Sequence, residues 1–327
     1  MPSPQLSVVV PMYDEEAAIP AFAERLRPVL DQLDVPYEVV AVDDGSTDGT
    51  TAVLLALARR WPELRIMRLR RNSGHQAALT AGLQRAGGAW VVSIDADLQD
   101  PPEAIADMLR LAREQNLDVV YGVRADRRTD SAFKRLTAGV YYRLMRRLTG
   151  AEVPAQAGDF RLISRDVVEL LRQLPERTPV YRLLVPSLGF ASGSVSYVRE
   201  RRVAGRTKYR LRKMVGLAWD SAASFSAAPL RLATWLGTAA FVVCLVLGGF
   251  GIVAWANGTV IPGWTSLFLA VLLLAAVQLI CLGLLGEYVG RIYAAVQNRP
   301  TFHIEFDSAV DDPQAGISVP RSPAGVP

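Results

Sequence analysis

Trp90-Val91-Val92-Ser93-Ile94-Asp95-Ala96-Asp97-Leu98-Gln99 runs from an apolar stretch straight into two aspartates one residue apart. The apolar residues read as a buried strand, whose carboxyl end delivers two carboxylates to the edge of a sheet. A single intervening residue lets both approach one hard cation, which suits a divalent metal and a diphosphate. Two carboxylates after so apolar a strand also need a partner to offset desolvation. The same residues serve equally as a strand followed by an acidic turn, and the triplet alone does not choose.

Working outward, the same alternation recurs. Leu6-Ser7-Val8-Val9-Val10-Pro11 is an apolar strand leading to Asp14-Glu15-Glu16 and a helix from Ala17 to Leu33. Tyr37 to Val42 is a second strand, ending at Asp43-Asp44-Gly45-Ser46-Thr47-Asp48, with a helix from about Gly49 to Arg60. Arg65 to Leu69 is a third, followed by Asn72-Ser73-Gly74-His75 and a helix from His75 to Arg85. Continuous apolar strands between helices predict a mostly parallel sheet covered on both faces, with ligands at its carboxyl edge. Four polar clusters at that one edge describe a site. Farther on, Val119 to Arg124 reads as a strand leading to a basic loop through Lys134 and Arg135. A helix from Phe133 to Leu148 follows, and Val195 to Arg202 is a late strand.

Half of the 327 residues are hydrophobic, and the apolar excess is concentrated near the end. Leu232 to Ala256 and Trp264 to Gly286 each lack a charged residue. At about 1.5 Å per residue, each crosses a hydrocarbon core of about 30 Å. The loop between them, Asn257 to Gly263, is uncharged, whereas Arg206, Lys208, Arg210, Arg212, Lys213 and Arg231 precede the first span and Arg291 and Arg299 follow the second. By the positive-inside rule both termini are expected in the cytoplasm of a multi-pass inner or plasma membrane protein. The first residues carry no secretory signal pattern. The net charge of +4 is gathered before the first span, which favours an anionic membrane surface over nucleic acid. Cys244 and Cys281 lie within the spans, and with only His75 and His303 a zinc site is not expected. The expected division is a catalytic domain at 1–203 and a basic, partly amphipathic linker at 204–231, with Met214 to Ser226 suited to a bilayer surface. The spans follow at 232–290 (232–256 and 264–286), then a cytoplasmic segment at 291–327, disordered after about 307.

Asp43 and Asp44 suit a ribose diol or a base edge, with Gly45 allowing a sharp turn, while Ser46, Thr47 or Asp48 caps the next helix. Asp95 and Asp97 would hold Mg2+ or Mn2+ on a donor diphosphate, with Gln99 near enough to add an oxygen. In order, Val10-Pro11-Met12-Tyr13-Asp14-Glu15, Val42 to Asp48, Asn72 to Leu79 and Asp95 to Glu103 closely resemble family 2 glycosyltransferases of the GT-A (Rossmann-like α/β) fold. Within that family the chain is similar to the polyprenyl-phosphate and dolichyl-phosphate glycosyltransferases with two transmembrane helices. The resemblance runs from about Leu6 to Pro300 and implies nucleotide binding by Pro11, Tyr13, Glu15, Asp43, Asp44 and Asp95, and metal binding by Asp95, Asp97 and Gln99. Gly158-Asp159-Phe160-Arg161-Leu162 matches a later family motif; it implies Asp159 beside the reacting centre and Arg161 on the acceptor phosphate. Gly205-Arg206-Thr207-Lys208-Tyr209 matches another and adds Lys208 to Arg124 and Arg161 as phosphate-steering candidates. The Asp100-Pro101-Pro102 form departs from relatives that carry another polar residue at position 100, with little expected consequence.

The resemblance implies a metal-dependent inverting hexosyltransferase acting from a nucleotide diphosphate sugar, with UDP and glucose or an N-acetylhexosamine favoured, on a polyprenyl phosphate. A lipid phosphate is anionic near pH 7, so its attack needs no strong base, and Asp159 either acts as a base or positions groups. A mannose synthase using GDP-mannose is the alternative within the class. A processive polysaccharide synthase is disfavoured by the number of spans and the lack of a Gln-x-x-Arg-Trp segment. A non-catalytic, membrane-tethered nucleotide-sugar binding protein is the alternative of another class. A homo-oligomer through the membrane helices is a further expectation of the resemblance.

Overall fold

A computed structural model describes residues 3–125, 157–174, 179–198, 228–258, 263–297 and 299–311. It contains two compact units, one of residues 1–208 with 300–327 and the other of residues 209–299.

The first unit is built on an eight-stranded sheet in the order β7-β5-β6-β4-β1-β2-β3-β8. Its strands are β1 (Leu6–Met12), β2 (Tyr37–Asp43), β3 (Leu64–Leu69), β4 (Trp90–Ser93), β5 (Val119–Arg124), β6 (Ala157–Ser164), β7 (Ser192–Tyr197) and β8 (Ile304–Asp307). β1 pairs in parallel with β2 and β4, β2 with β3, and β5 with β7; β6 and β8 run antiparallel to their neighbours. This is a mostly parallel, mixed α/β sheet. β1 is buried at every residue, as a strand covered on both faces should be.

Helices α1 (Ile19–Asp31), α2 (Thr50–Ala58), α3 (His75–Arg85) and α4 (Ala104–Gln115) connect the strands. α1 buries Ile19, Phe22, Ala23, Leu26 and Leu30, one face of a 3.6-residue period. α3 lies close on the sheet because Gly82 has no side chain: a Cβ there would fall 2.3 Å from Val9 Cγ1. α4 was not expected from the sequence, yet Ile105, Met108, Leu109 and Ala112 recur at helical spacing and are buried. Asn116, at φ 52°, ends it in the left-handed conformation. Truncating a fully buried side chain of this core, such as Leu26 or Ile66, should cost about 2–5 kcal/mol. Two short helices, α5 (Arg165–Gln173) and α6 (Tyr181–Ser187), follow β6.

The second unit contains α7 (Ala228–Ala256) and α8 (Trp264–Val296), which pack on each other. Their apolar side chains are exposed, including Phe241 at 62%, Phe250 at 67% and Leu273 at 66%. The stretches Ala233–Ala254 and Ala270–Val296 are long and apolar enough to cross a membrane. α8 continues to Val296 rather than stopping near Gly286, because Glu287 ends the charge-free run without ending the helix. Arg291 Nε donates to Glu287 Oε1 one turn away at 2.9 Å.

One expectation changes at the C-terminus. The segment after the second helix does not stand apart: β8 adds to the edge of β3, in the first unit's sheet. The expected helix at 133–148, the basic loop at Lys134 and Arg135, the motif at 205–209 with Lys208, and the amphipathic segment at 214–226 lie outside the described residues.

Candidate active site

Because β1, β2 and β4 are parallel neighbours, their carboxyl ends open onto one place. A cleft of about 260 Å³ sits there, lined by Pro11, Tyr13, Glu15, Asp44, Asn72, His75, Asp95 and Asp97 among others. Residues more than eighty positions apart are brought together by strand register, with Met12 paired to Asp43 and Val9 to Ser93.

The first two loops hold each other. The Asp14 and Glu15 N–H groups donate to Ser46 Oγ at 3.0 Å and Thr50 Oγ1 at 2.9 Å. In return, the Thr47 N–H donates to Asp14 Oδ1 at 2.9 Å and the Gly49 N–H to Glu16 Oε2 at 2.9 Å. Asp14 adopts φ 53°, a conformation that Asp tolerates better than bulky residues. Gly45, at φ 66°, admits no side chain, since a Cβ would lie 2.5 Å from the Arg71 backbone. Asp48 Oδ1 accepts from the Thr50 N–H at 3.0 Å, so the capping role falls to Asp48.

The two aspartates of the second loop sit in different surroundings. Asp44 lines the cleft and receives the N–H groups of Ser73 at 2.7 Å and Gly74 at 2.8 Å. Burial raises its carboxyl, opposed by those two N–H groups. Asp43, expected with Asp44 at the nucleoside, is fully buried and is not among the residues lining the cleft. It accepts from the Ser46 N–H at 2.8 Å and from Thr51 Oγ1, and pairs with Arg68 Nη1 at 3.3 Å. These contacts tie down the loop that carries Asp44.

Asp95 and Asp97 both line the cleft. Desolvation pushes the Asp95 carboxyl up to about 6; His75 opposes the shift, while Asp159, Asp97 and Asp100 add to it. Such a concentration of negative charge fits a divalent cation, and carboxylate oxygens are the donors that Mg2+ or Mn2+ prefers. Among the described residues no group of three or more His, Cys, Asp or Glu side chains could hold a metal. The two carboxylates would therefore need oxygens from a bound diphosphate to complete a shell. Gln99 meets Asp97 through its backbone, N–H to Oδ1 at 3.1 Å, and is not among the residues lining the cleft. Leu98 makes this turn at φ 58°.

β6 explains how Asp159 arrives. It runs antiparallel to β4 with Arg161 opposite Ser93, so its beginning lies beside the end of β4. His75, the first residue of α3, sits between the two acids, Nδ1 3.9 Å from Asp95 Oδ1 and Nε2 3.4 Å from Asp159 Oδ2. Burial alone would lower the imidazole, but the hydrogen bond to Asp159 and the charges of Asp95 and Asp159 outweigh it and raise it. Burial alone would raise Asp159, but His75 and Arg161 hold it well below the usual carboxylate range.

Arg161 is 3% exposed at its side chain. Nη1 donates to the Tyr181 carbonyl at 2.6 Å, and Nη2 to the Gly158 carbonyl at 3.2 Å and Asp159 Oδ1 at 2.7 Å. It is not among the residues lining the cleft; its guanidinium pairs with Asp159, which lies against His75 at the cleft. Arg124 ends β5 with Nη2 3.7 Å from Asp100 Oδ1, and the Tyr197 hydroxyl donates to the same oxygen. Asp100, 3% exposed, thus ties the turn after Asp97 to the ends of β5 and β7, more than was expected of that position. His75 and Asn72 are the polar side chains of the cleft lining that were missing from the expected site, although their cluster had stood out at the sheet edge.

Residues 7–172 match the sequence model described as "Glycosyl transferase family 2", and residues 228–292 match "GtrB C-terminal hairpin". The chain is 39% identical over 316 residues to "Uncharacterized glycosyltransferase YkcC" of Bacillus subtilis (strain 168), covering 94% of this chain and 95% of that protein. It is 38% identical over 302 residues to the "SfII prophage-derived bactoprenol glucosyl transferase" of Shigella flexneri, covering 92% and 97% respectively. Among solved structures it is similar to glucosyl-3-phosphoglycerate synthase from Mycobacterium tuberculosis in complex with Mn2+ and uridine-diphosphate-glucose. That likeness has a TM-score of 0.49 and 22% identity, over 67% of this chain and 77% of that one.

Proposed function

The chain belongs to glycosyl transferase family 2, and on that premise we propose that it transfers glucose from UDP-glucose to a polyprenyl phosphate at the cytoplasmic face of a membrane. The observation that carries this reading is one cleft at the carboxyl edge of the sheet, lined by Asp44, His75, Asp95 and Asp97, in a chain that also has two membrane-length helices. The choice of glucose and of a polyprenyl acceptor is supported by relatives named bactoprenol glucosyl transferase over nearly the whole chain. A lipid acceptor with a long isoprenoid chain stays in the bilayer, which gives the helices a reason to be there.

Pro11, Tyr13, Glu15 and Asp44 would line the nucleoside end of the donor. Asp95 and Asp97 would hold a divalent cation, which supplies positive charge to the departing diphosphate. An anionic oxygen of the acceptor phosphate attacks the anomeric carbon, and the bond from that carbon to the donor's phosphate oxygen breaks with its electron pair on UDP. One displacement inverts the configuration. No proton has to leave the nucleophile, so Asp159, kept ionised by His75 and Arg161, positions groups rather than serving as a base. Arg124 at the end of β5 and Lys208 are the candidates for orienting the acceptor phosphate.

β3 and β8 share a sheet, which supports a reading in which the chain before α7 and the chain after α8 are on the same side of the membrane. The basic residues before the first span favour the cytoplasm for that side.

The test is a donor panel with the purified full-length protein, polyprenyl phosphate and Mg2+ or Mn2+. Labelled lipid from UDP-glucose is the expected result. Labelled lipid from GDP-mannose or a UDP-N-acetylhexosamine, and none from UDP-glucose, would overturn the sugar assignment. Nucleotide binding without any transfer would favour a binding protein.

A further inference from the structure

We propose that β8 is a working part of the donor site: it reaches back from the membrane hairpin to hold Arg68, and Arg68 sets the loop that carries Asp44. The inference rests on the reading of the cleft as the donor site.

Arg68 is buried to 4% exposure, and a guanidinium so far from water needs partners on every side. On the loop side Nη1 meets Asp43 Oδ2 at 3.3 Å and donates to Thr51 Oγ1, while Nη2 donates to the Ser46 carbonyl at 3.4 Å. On the other side Nε donates to Glu305 Oε2 at 3.2 Å. One cation is shared between the carboxylate that shapes the nucleotide loop and a carboxylate contributed 237 residues later.

β8 is firmly held where this occurs. Arg65 Nε and Nη2 grip both oxygens of Asp307 at 2.8 and 2.6 Å. The Ile66 N–H donates to Ser308 Oγ at 2.9 Å, the Arg70 N–H to the His303 carbonyl at 2.9 Å, and Phe306 is buried at 5% exposure. Only residues 297–303 separate this strand from the end of α8. Glu305 itself is one-third exposed, so it adds little to folding by burial. Its effect is on the direction of Arg68. Without it, Arg68 keeps one anionic partner and can turn toward solvent at the sheet edge, loosening Asp43 and the Ser46 carbonyl together.

The experiment measures UDP affinity by calorimetry and steady-state kinetics for full-length Glu305→Ala, Glu305→Asp and Asp44→Asn beside wild type. Glu305→Ala should raise both the UDP Kd and the KM for UDP-glucose about three- to tenfold, with kcat within about twofold. Its unfolding midpoint should stay within about 2 °C of wild type. Glu305→Asp, which restores the charge, should recover part of the affinity. Unchanged Kd and KM in Glu305→Ala would overturn the inference, as would a fall in kcat at constant KM. If Asp44→Asn weakens UDP binding and Glu305→Ala does not, only the role of β8 fails. If Asp44→Asn also leaves UDP binding unchanged, the donor-site reading itself fails.

Discussion

Arg161 carries a charge into a place where its side chain is 3% exposed, and every consequence of that follows from its partners. Removing it takes the 2.7 Å guanidinium partner from Asp159, which keeps His75 and Gln76, and takes the Nη1 donor from the Tyr181 carbonyl. Arg161→Met should therefore lower stability by about 3–5 kcal/mol, measured by denaturant unfolding. A stable Arg161→Met protein with only a raised KM for acceptor would instead support the contact with acceptor phosphate implied by the motif. Asp44 is the opposite case, a carboxylate at the cleft whose oxygens receive two backbone N–H groups. In Asp44→Asn one oxygen becomes a donor facing a donor, so UDP affinity should fall about tenfold or more by calorimetry; unchanged affinity would contradict its place in the donor site. The motifs made Asp44, Asp95 and Asp97 legible in the sequence. They could not separate Asp43 from Asp44, because adjacent residues of an extended chain point to opposite faces and only the packed sheet decides which face is wet.

The strands β1 to β5 and helices α1 to α3 were legible because a continuous apolar run between helices has few other uses in a parallel sheet. β6 was not, since its sequence alternates charged and apolar residues, Asp159-Phe160-Arg161-Leu162, and its antiparallel direction depends on pairing with β4 and β5. β8 was hidden for a different reason. It is a four-residue strand whose partner lies on the far side of two long apolar helices in the sequence. Its anchor offers a test. Burial alone would raise Asp307, but the hydrogen bonds from Arg65 and the Ala309 N–H outweigh it and hold the carboxyl below its ordinary range. A carboxylate depressed in the folded state stabilises above its unfolded value of about 3.9 and stops doing so as pH falls through the folded one. Asp307→Asn should accordingly lower the unfolding midpoint at pH 7, with the difference from wild type closing as pH falls below about 4. A difference that stays constant from pH 7 to pH 3 would contradict the ion pair.

The whole chain joins a GT-A-like sheet domain to a pair of exposed apolar helices, and returns afterwards to complete the sheet. That return changes how the hairpin is tested, since simple truncation after the first domain would also remove β8. Replacing residues 228–297 with a flexible soluble linker keeps β8 in the chain. The replacement should reduce transfer to a long-chain polyprenyl phosphate more than to a short, soluble analogue, and equal losses on both would mean that the helices only stabilise the fold. The apolar spans themselves were legible from composition, whereas the charge-free run did not mark the end of α8, which continues past Glu287 to Val296. The most direct test of the central claim is sugar transfer from radiolabelled UDP-glucose to polyprenyl phosphate, measured for the full-length protein while the divalent cation is titrated. The wild type should label lipid in a cation-dependent manner, and Asp97→Ala should fall about a hundredfold or more with an unchanged unfolding midpoint. Turnover near wild type in Asp97→Ala would contradict the account.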